Sequence, residues 1–320
     1  MDFRQRLALA VIAAALFAPP GAMGDERLPG VAPADPLYDV AIVGRNVWIV
    51  GFPGILLHSS DGGTTFASQR PADRSSFFAV DFVDEKTGWV AGRGGQILAT
   101  RDGGATWEKQ ATGTTEPLLA IDFVDASHGI AVGNFATAVR TEDGGRTWVA
   151  IRVAPEGEDP SLNGVAFATD REAIVVGEFG SVFRTGDGGL TWEAVSSGVN
   201  DSLYGAAALP GGVLMAAGAE GVLITSADGG RSFTPVATGT TRHLFRVTGT
   251  ATRILVSGNG GTLLSADRPE GPYVAWKAPT YFWLGGARLA PDGTGFLVGG
   301  RTLVLRTADG GRTWKRWGAP

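Results

Sequence analysis

Seven aspartates recur along this chain at nearly regular intervals, and carboxylates repeated in this way could bind metal ions or shape turns. They are separated by 41, 41, 44, 41, 39 and 42 residues, at Asp61, Asp102, Asp143, Asp187, Asp228, Asp267 and Asp309. A calcium loop supplies several oxygen ligands from one segment, whereas each of these segments offers one carboxylate beside glycine or threonine. An aspartate followed by glycine is typical of a turn, because the carboxylate accepts backbone N–H groups and glycine adopts positive φ. We therefore interpret the seven aspartates as structural.

A pair of carboxylates could also catalyse glycoside hydrolysis, and Glu178 and Glu220 are candidates for that role. They stand in two successive repeats, so they could lie at the separation that glycosidases use. Zinc or copper chemistry has less support, because the chain has no cysteine and its only histidines, His58, His128 and His243, are expected in strands or turns. No motif indicates a serine–histidine–aspartate triad. The sequence therefore assigns no catalytic residue, no metal ligand and no cofactor.

The aspartates belong to a longer phrase that repeats with a period near 41 residues. It reads S-S-D-G-G-T-T-F at residues 59–66 and T-E-D-G-G-R-T-W at residues 141–148. A glycine pair and a short apolar strand precede it, and an alternating pair of strands stands further upstream, as in residues 78–100. Each repeat therefore predicts strand A, a turn, strand B, a glycine loop, strand C, the aspartate turn and strand D.

Seven such units predict an all-β fold, a seven-bladed β-propeller of four-stranded antiparallel blades. The period has room for four strands and their turns, and closing the sheets into a ring protects their edges. We call the turn between strands C and D the Asp-box. The sixth copy, S-A-D-R-P-E-G-P-Y at residues 265–273, lacks the second glycine, so we expect an irregular sixth blade.

The first residues are typical of an export signal. Arg4 and Arg6 precede an apolar run over residues 7–18, which is too short to span a bilayer, and small residues follow Pro19 and Pro20. We interpret residues 1–24 as a cleaved signal peptide, 25–36 as an N-terminal extension and 37–320 as the propeller; an uncleaved anchor is the alternative. The mature chain is then exported to a periplasm, and without cysteine it has neither disulfides nor a lipoprotein anchor.

The charge balance excludes some partners. A net charge of −5 and a pI near 5.3 provide no basic field to hold nucleic acid or an anionic bilayer non-specifically. We expect no nucleic-acid partner and no membrane insertion after the signal is cleaved.

The loops opposite the boxes are the predicted binding surface. If strand A is innermost, the B–C loops and the D–A connections share one face, and loops on a rigid scaffold commonly carry function. Arginine there suits bidentate capture of carboxylates, for instance those of a partner's C-terminal tail. The predicted partner-binding residues are Arg70, Arg74, Arg93, Glu178, Glu220, Arg242 and Arg301.

The repeated phrase resembles the BNR, or Asp-box, repeat of the sialidase-like superfamily. In overall layout the chain resembles the photosystem II stability and assembly factor family over residues 37–318. A sialidase would add an arginine triad, a tyrosine nucleophile and an F/Y-R-I-P motif; the motif is missing here, and all four tyrosines occupy strand-A or box contexts. The resemblance implies the propeller fold and leaves an unrelated function open, because the box occurs beneath many activities.

The resemblance to the assembly factors also implies a function. We expect a non-enzymatic, monomeric, periplasmic propeller, lumenal in a photosynthetic host, that binds membrane-protein partners as an assembly or stability factor. In a non-photosynthetic bacterium the partner would be an exporter or an envelope complex. The alternative is a carbohydrate-active glycoside hydrolase of the sialidase-like or two-carboxylate type.

Overall fold

The computed structural model describes residues 28–69, 75–278 and 280–318. Its strands form seven four-stranded antiparallel sheets arranged in a ring, which confirms the predicted all-β, seven-bladed propeller. The predicted signal peptide, residues 1–24, lies outside the described residues. Across the three described ranges, no helix has both the length and the apolar character needed to cross a membrane.

Each blade consists of four consecutive strands, named A to D in chain order. In blades 1 to 3 they are β1 (Leu37–Val43), β2 (Asn46–Gly51), β3 (Ile55–Ser59), β4 (Ala67–Ser68), β5 (Phe77–Phe82), β6 (Gly88–Gly92), β7 (Ile97–Thr100), β8 (Glu108–Gln110), β9 (Leu118–Phe123), β10 (Gly129–Gly133), β11 (Ala138–Thr141) and β12 (Val149–Ala150). In blades 4 and 5 they are β13 (Leu162–Phe167), β14 (Ala173–Gly177), β15 (Val182–Thr185), β16 (Glu193–Val195), β17 (Leu203–Leu209), β18 (Val213–Gly218), β19 (Leu223–Ser226) and β20 (Thr234–Pro235).

The last two blades follow the same plan. Their strands are β21 (Leu244–Thr250), β22 (Arg253–Gly258), β23 (Thr262–Ala266), β24 (Val274–Lys277), β25 (Leu284–Leu289), β26 (Gly295–Gly299), β27 (Leu303–Thr307) and β28 (Lys315–Arg316). Short 3-10 turns follow strand B in blades 2, 4, 5 and 6, at Arg93–Gly95, Glu178–Gly180, Ala219–Gly221 and Asn259–Gly261.

Strand A is the innermost strand of every blade. It packs against strand A of both neighbouring blades, and β25 packs against β1, which closes the ring. Strand B is the most deeply buried, since every residue of β6, β10, β14 and β26 is buried. Neighbouring blades cover both of its faces, and this explains why strand B reads as a continuous apolar run.

The ring closes on a cluster shared by blades 7 and 1. Phe66 and Phe296 are buried in it, Leu28 from the N-terminal segment joins them, and Trp317 packs at its edge. The Trp317 indole donates a hydrogen bond to the carbonyl of Gly63 at 2.9 Å. Apolar packing and this cross-seam bond therefore hold the two ends of the described chain together.

The Asp-boxes are closed by their own hydrogen bonds. In blade 2, Asp102 accepts from the hydroxyl and the N–H of Thr106 at 2.6 and 2.8 Å, and the Thr100 hydroxyl donates to it at 2.8 Å. The Thr106 hydroxyl is the largest of the contacts that lower the pKa of Asp102 to about 2. The same arrangement occurs at Asp61, Asp143, Asp187, Asp228 and Asp309. These carboxylates are satisfied by backbone and hydroxyl donors, as expected of a turn.

The sixth box differs from the other six. Asp267 is exposed and lies 3.5 Å from Arg253, an ion pair in place of the box hydrogen bonds. Its neighbour Ser265 accepts from the Trp276 indole at 2.7 Å instead of binding the aspartate. The inserted Arg–Pro–Glu segment thus replaces a closed turn with a looser one.

The Asp-boxes also accept hydrogen bonds from side chains of the preceding blade. Trp89, fully buried in strand B of blade 2, donates its indole N–H to the carbonyl of Gly144 in the next box at 3.0 Å. Arg184 of blade 4 donates in the same way to Gly229 at 2.5 Å, and its guanidinium also binds Glu172 at 2.9 Å. Side chains of one blade therefore fix the turn of the next.

Candidate binding face

The two faces of the propeller are built from different turns. Boxes and A–B turns share one face, which we call the box face; in blade 2, for example, Gly103 N donates to Lys86 O at 2.9 Å. B–C loops and D–A connections share the other, and in every blade a B–C loop N–H donates to the carbonyl just before strand A, as Arg93 N does to Ser76 O at 2.9 Å. We call this the loop face: within the described residues it comprises B–C loops 51–54, 92–95, 133–136, 177–180, 218–221, 258–261 and 299–302, and D–A connections 69 with 75–76, 111–117, 151–161, 196–202, 236–243 and 278 with 280–283.

Three predicted arginines lie on the loop face with exposed side chains, Arg93, Arg242 and Arg301. Within the described residues, none of them has a carboxylate at ion-pair distance. Their guanidinium groups can therefore bind carboxylates of another molecule without first breaking an internal pair. The other two predicted arginines, Arg70 and Arg74, fall outside the described residues.

Arg242 borders a groove on blade 6, between the D–A connections that precede and follow that blade. The groove encloses about 450 Å³ and is also lined by Gly260, Trp276 and Tyr281. Gly260 has φ +61, and a Cβ there would collide with the Arg242 guanidinium, so glycine is required for the arginine to lie across this loop. A groove of this size with one charged group suits a peptide side chain or terminus.

The two predicted glutamates are engaged by residues of the adjacent D–A connections. Glu178 accepts a hydrogen bond from Ser161 N at 2.9 Å. Glu220 donates its backbone N–H to His243 Nδ1 at 3.2 Å, and its carboxylate lies 3.9 Å from that nitrogen. Both carboxylates remain accessible to solvent, whereas the acid of a glycosidase is typically held in an apolar pocket.

The loop face also exposes large aromatic side chains. Of the eight large hydrophobic side chains that are exposed within the described ranges, five lie on it: Phe52, Phe135, Phe179, Tyr281 and Phe282. The Arg301 guanidinium lies 5.2 Å from the ring centroid of Phe282, a cation–π contact that leaves its N–H groups available. The concentration of large exposed apolar side chains on this face makes it the candidate interaction surface.

A ring of half-buried side chains surrounds the channel mouth on this face. In all seven blades the register shifts at the start of strand A, so its second residue is a β-bulge. Such bulges redirect side chains near functional sites. Tyr38 stacks on Trp283 at 5.8 Å and meets the edge of Phe78 at 5.5 Å. The bulged residues are Tyr38, Phe78, Leu119, Asn163, Tyr204, Phe245 and Gly285.

Below the mouth, the channel wall carries two ion pairs. Arg246 lies 3.4 Å from Asp39, and Arg288 lies 3.4 Å from Asp81. Burial raises the pKa of Asp81 and raises that of Asp122 further. Asp122 accepts a backbone N–H from strand A of the next blade at 2.7 Å, and Asp39 and Asp81 accept equivalent bonds. These carboxylates hold neighbouring blades together. No group of three or more potential ligands is placed to hold a metal ion in the part of the chain that the structure describes.

Little in the sequence predicts the aromatic part of the loop face. Phe135 and Phe179 stand where two other repeats have Gly94 and Gly260, and a bulky residue in a glycine position is the signal that could have revealed them. The channel carboxylates had a weaker signal, an aspartate within an otherwise apolar strand, as in β9.

A closed ring of seven four-stranded blades, with six satisfied boxes on one face and exposed arginine and aromatic side chains on the other, defines an Asp-box propeller with a candidate binding face. Residues 108–284, more than half of the chain, match the family described as photosynthesis system II assembly factor YCF48. The chain belongs to this family. Among curated proteins, no match was found.

Solved structures agree on the fold. One described as YCF48 bound to D1 peptide superimposes with a TM-score of 0.70 at 20% identity, covering 88% of this chain and 93% of that one. YCF48 from Cyanidioschyzon merolae gives 0.61 at 23% identity over 76% and 84% of the two chains. The GH74 xyloglucanase from Xanthomonas campestris gives 0.73 at 14% identity over 91% and 55%. At these identities the similarity concerns the propeller, not its chemistry.

Proposed function

We propose that this chain is a non-enzymatic, monomeric, periplasmic propeller that binds membrane-protein partners through its loop face and assists their assembly or stability. Membership of an assembly-factor family supports this role. The observation that carries it is the set of exposed arginines, Arg93, Arg242 and Arg301, which lack carboxylate partners within the described residues. In a photosynthetic host the partner is a photosystem-like complex and the compartment the lumen; elsewhere it is an exporter or envelope complex.

The arginines define the chemistry of the contact. A guanidinium offers paired N–H donors that match a carboxylate, so the ligand is a C-terminal tail or an acidic segment of the partner. The similar propeller described as YCF48 bound to D1 peptide supports a peptide as the ligand of this chain as well. The groove beside Arg242 and the aromatic channel mouth provide the apolar surface that such a peptide needs.

Affinity isolation from detergent-solubilised membranes tests the proposal. The tagged mature chain is compared with Arg93→Gln/Arg242→Gln/Arg301→Gln, and we expect a membrane-protein partner that only the unchanged chain recovers. The control, Arg146→Gln/Arg231→Gln/Arg312→Gln, removes the same charge from the box face and should leave recovery unchanged. No reproducible membrane partner would contradict the proposal. So would turnover of a glycoside that is abolished by Glu178→Gln or Glu220→Gln.

A further inference from the structure

Two exposed phenylalanines on the loop face occupy backbone conformations that bulky residues avoid. Phe135 has φ 52 and Phe179 has φ 57, whereas the equivalent residues of blades 2 and 6 are glycines, Gly94 and Gly260, with φ 69 and 61. The two rings are 67% and 77% exposed, so packing within the chain does not compensate for the strained backbone. An uncompensated strain at a surface position is grounds for inferring a function.

The two phenylalanines flank one connection. Ala136, next to Phe135, donates its N–H to Pro160 O at 2.8 Å, and Glu178, next to Phe179, donates its N–H to Ser161 O at 3.0 Å. Consecutive residues of the D–A connection 151–161 thus hold both loop tips. The two loop tips that carry the rings are therefore anchored to the same connection, one on each side of it.

The D–A connection 151–161, which lies between the two phenylalanine loops, is acidic. Glu156, Glu158 and Asp159 are exposed, and among the described residues no cation pairs with them. Glu178 adds a fourth carboxylate at the edge. The nearby cation on the same connection, Arg152, directs its Nε to Ala154 O at 3.3 Å. Two aromatic rings beside a negatively charged connection are complementary, in polarity and in charge, to an apolar segment with basic side chains.

We propose that Phe135, Phe179 and the connection 151–161 form a second subsite of the loop face, which takes a partner segment of apolar side chains interspersed with lysine or arginine. The subsite rests on the proposed function, because it extends the same face from the arginine-bearing blades to blades 3 and 4. The partner then contacts the propeller at two points of opposite charge, which fixes its direction across the channel mouth.

Fluorescence anisotropy with short labelled peptides tests the subsite. The probe is an acetylated, amidated peptide of alternating lysine and leucine, and the comparison peptide has glutamate for every lysine. Blocked ends keep the probe from engaging the arginines through a terminal carboxylate. We expect the lysine peptide to bind, the glutamate peptide to bind at least about tenfold more weakly, and Phe135→Gly/Phe179→Gly to lose at least about tenfold in affinity.

Two controls separate binding from folding. The first control replaces Leu190, 65% exposed on the box face, with threonine, the residue at the equivalent position of the first box. Leu190→Thr should leave peptide binding unchanged. The thermal midpoint of the double glycine variant should be unchanged or higher, because glycine adopts positive φ without strain. A lowered midpoint would show that the rings serve the fold and would overturn the proposal.

The other possible outcomes of the binding experiments also decide whether the subsite exists. No binding of the lysine peptide at about 1 mM, equal binding of the two peptides, or unchanged binding by the double variant overturns the subsite. So does Phe-dependent adsorption to phosphatidylcholine vesicles, or Phe-dependent dimerisation in light scattering, since the occupant is then a lipid surface or a second copy. A separate peptide with a free C-terminal carboxylate, compared on the unchanged chain and the loop-face arginine variant, shows whether the proposed function stands when the subsite fails.

Discussion

Arg184 on the box face and Arg301 on the loop face carry the same side chain in opposite surroundings. Arg184 is buried, binds Glu172 at 2.9 Å and Glu193 at 3.0 Å, and donates to the next blade. Arg301 is exposed at a loop tip and packs on the Phe282 ring, and it has no carboxylate partner among the described residues. The first arginine is satisfied by the fold, whereas the second is the one that we propose binds another molecule.

This difference extends to the faces as a whole. On the box face the repeated residues bind one another, and in the six closed boxes the hydroxyl and carboxylate are used within the turn. On the loop face the positions vary from blade to blade, and arginine, glutamate and phenylalanine occupy sites that glycine fills elsewhere. Repetition therefore marks what each blade needs to fold, and variation marks the surface that we propose recognises a partner.

The largest effect is expected in the core beneath the box face. Trp89→Ala removes a fully buried side chain that stacks on Phe123 at 3.4 Å, and it removes the indole donor to the carbonyl of Gly144, which keeps only the Arg101 guanidinium as a side-chain donor among the described residues. We expect a loss of about 3–5 kcal/mol in the free energy of unfolding, measured by urea denaturation. The loop-face control, Phe179→Ala, should change the free energy of unfolding by less than about 0.5 kcal/mol. Similar losses for both variants would remove the distinction between the faces.

A smaller effect separates the two arginines. Arg184→Ala removes one of the two guanidinium groups that bind the partly buried Glu172, leaving Arg231 at 3.2 Å, and deletes the donor to Gly229 O. We expect a loss of about 2 kcal/mol in the free energy of unfolding in the same assay. Arg301→Ala should change stability by less than about 0.5 kcal/mol, because its side chain is exposed. If Arg301→Ala destabilised the fold as much as Arg184→Ala, the loop-face arginine would be structural.

The smallest and most gradual expected effect is the change in folding stability on acidification. Hydrogen bonds, the Thr106 and Thr313 hydroxyls foremost, lower the pKa of Asp102 and Asp309 to about 2, below the unfolded value of about 3.9. The stability they contribute is present above about pH 4 and is lost as the pH falls towards 2. Asp122 acts oppositely, because its raised pKa favours the folded state at low pH.

Thermal melts between about pH 4 and 2 measure this balance. Six closed boxes outnumber the buried channel acids, so we expect the midpoint to fall with pH, and to fall less steeply for Asp102→Asn. A midpoint that stayed level or rose on acidification would mean that the box carboxylates are not held by their hydrogen bonds.

The fold follows from the repeat because each box is a local structure. Thr100, Asp102, Gly104 and Thr106 lie within seven residues of one another, so their spacing alone predicts the turn, and seven turns at blade spacing predict the ring. The irregularity of the sixth box is predicted from the sequence for the same reason, because the inserted proline lies within the repeated segment itself.

The loop face depends on contacts between distant segments, which spacing does not show. Phe135 and Phe179 share a surface because a connection between them binds both loops, and Arg242 lies across Gly260 from another loop. Strand order alone predicts that Arg93, Arg242 and Arg301 lie on the loop face, where the structure has them. Whether each was paired depended on neighbours that only the folded chain brings together.

The most direct measurement of the central claim is the amount of membrane partner recovered by two variants of equal charge. Arg93→Gln/Arg242→Gln/Arg301→Gln alters the loop face, and Arg146→Gln/Arg231→Gln/Arg312→Gln alters the box face. We expect the first to recover at least about tenfold less partner than the second, with the thermal midpoint of the first close to that of the unchanged chain. Equal recovery by both variants would contradict the assignment of binding to the loop face.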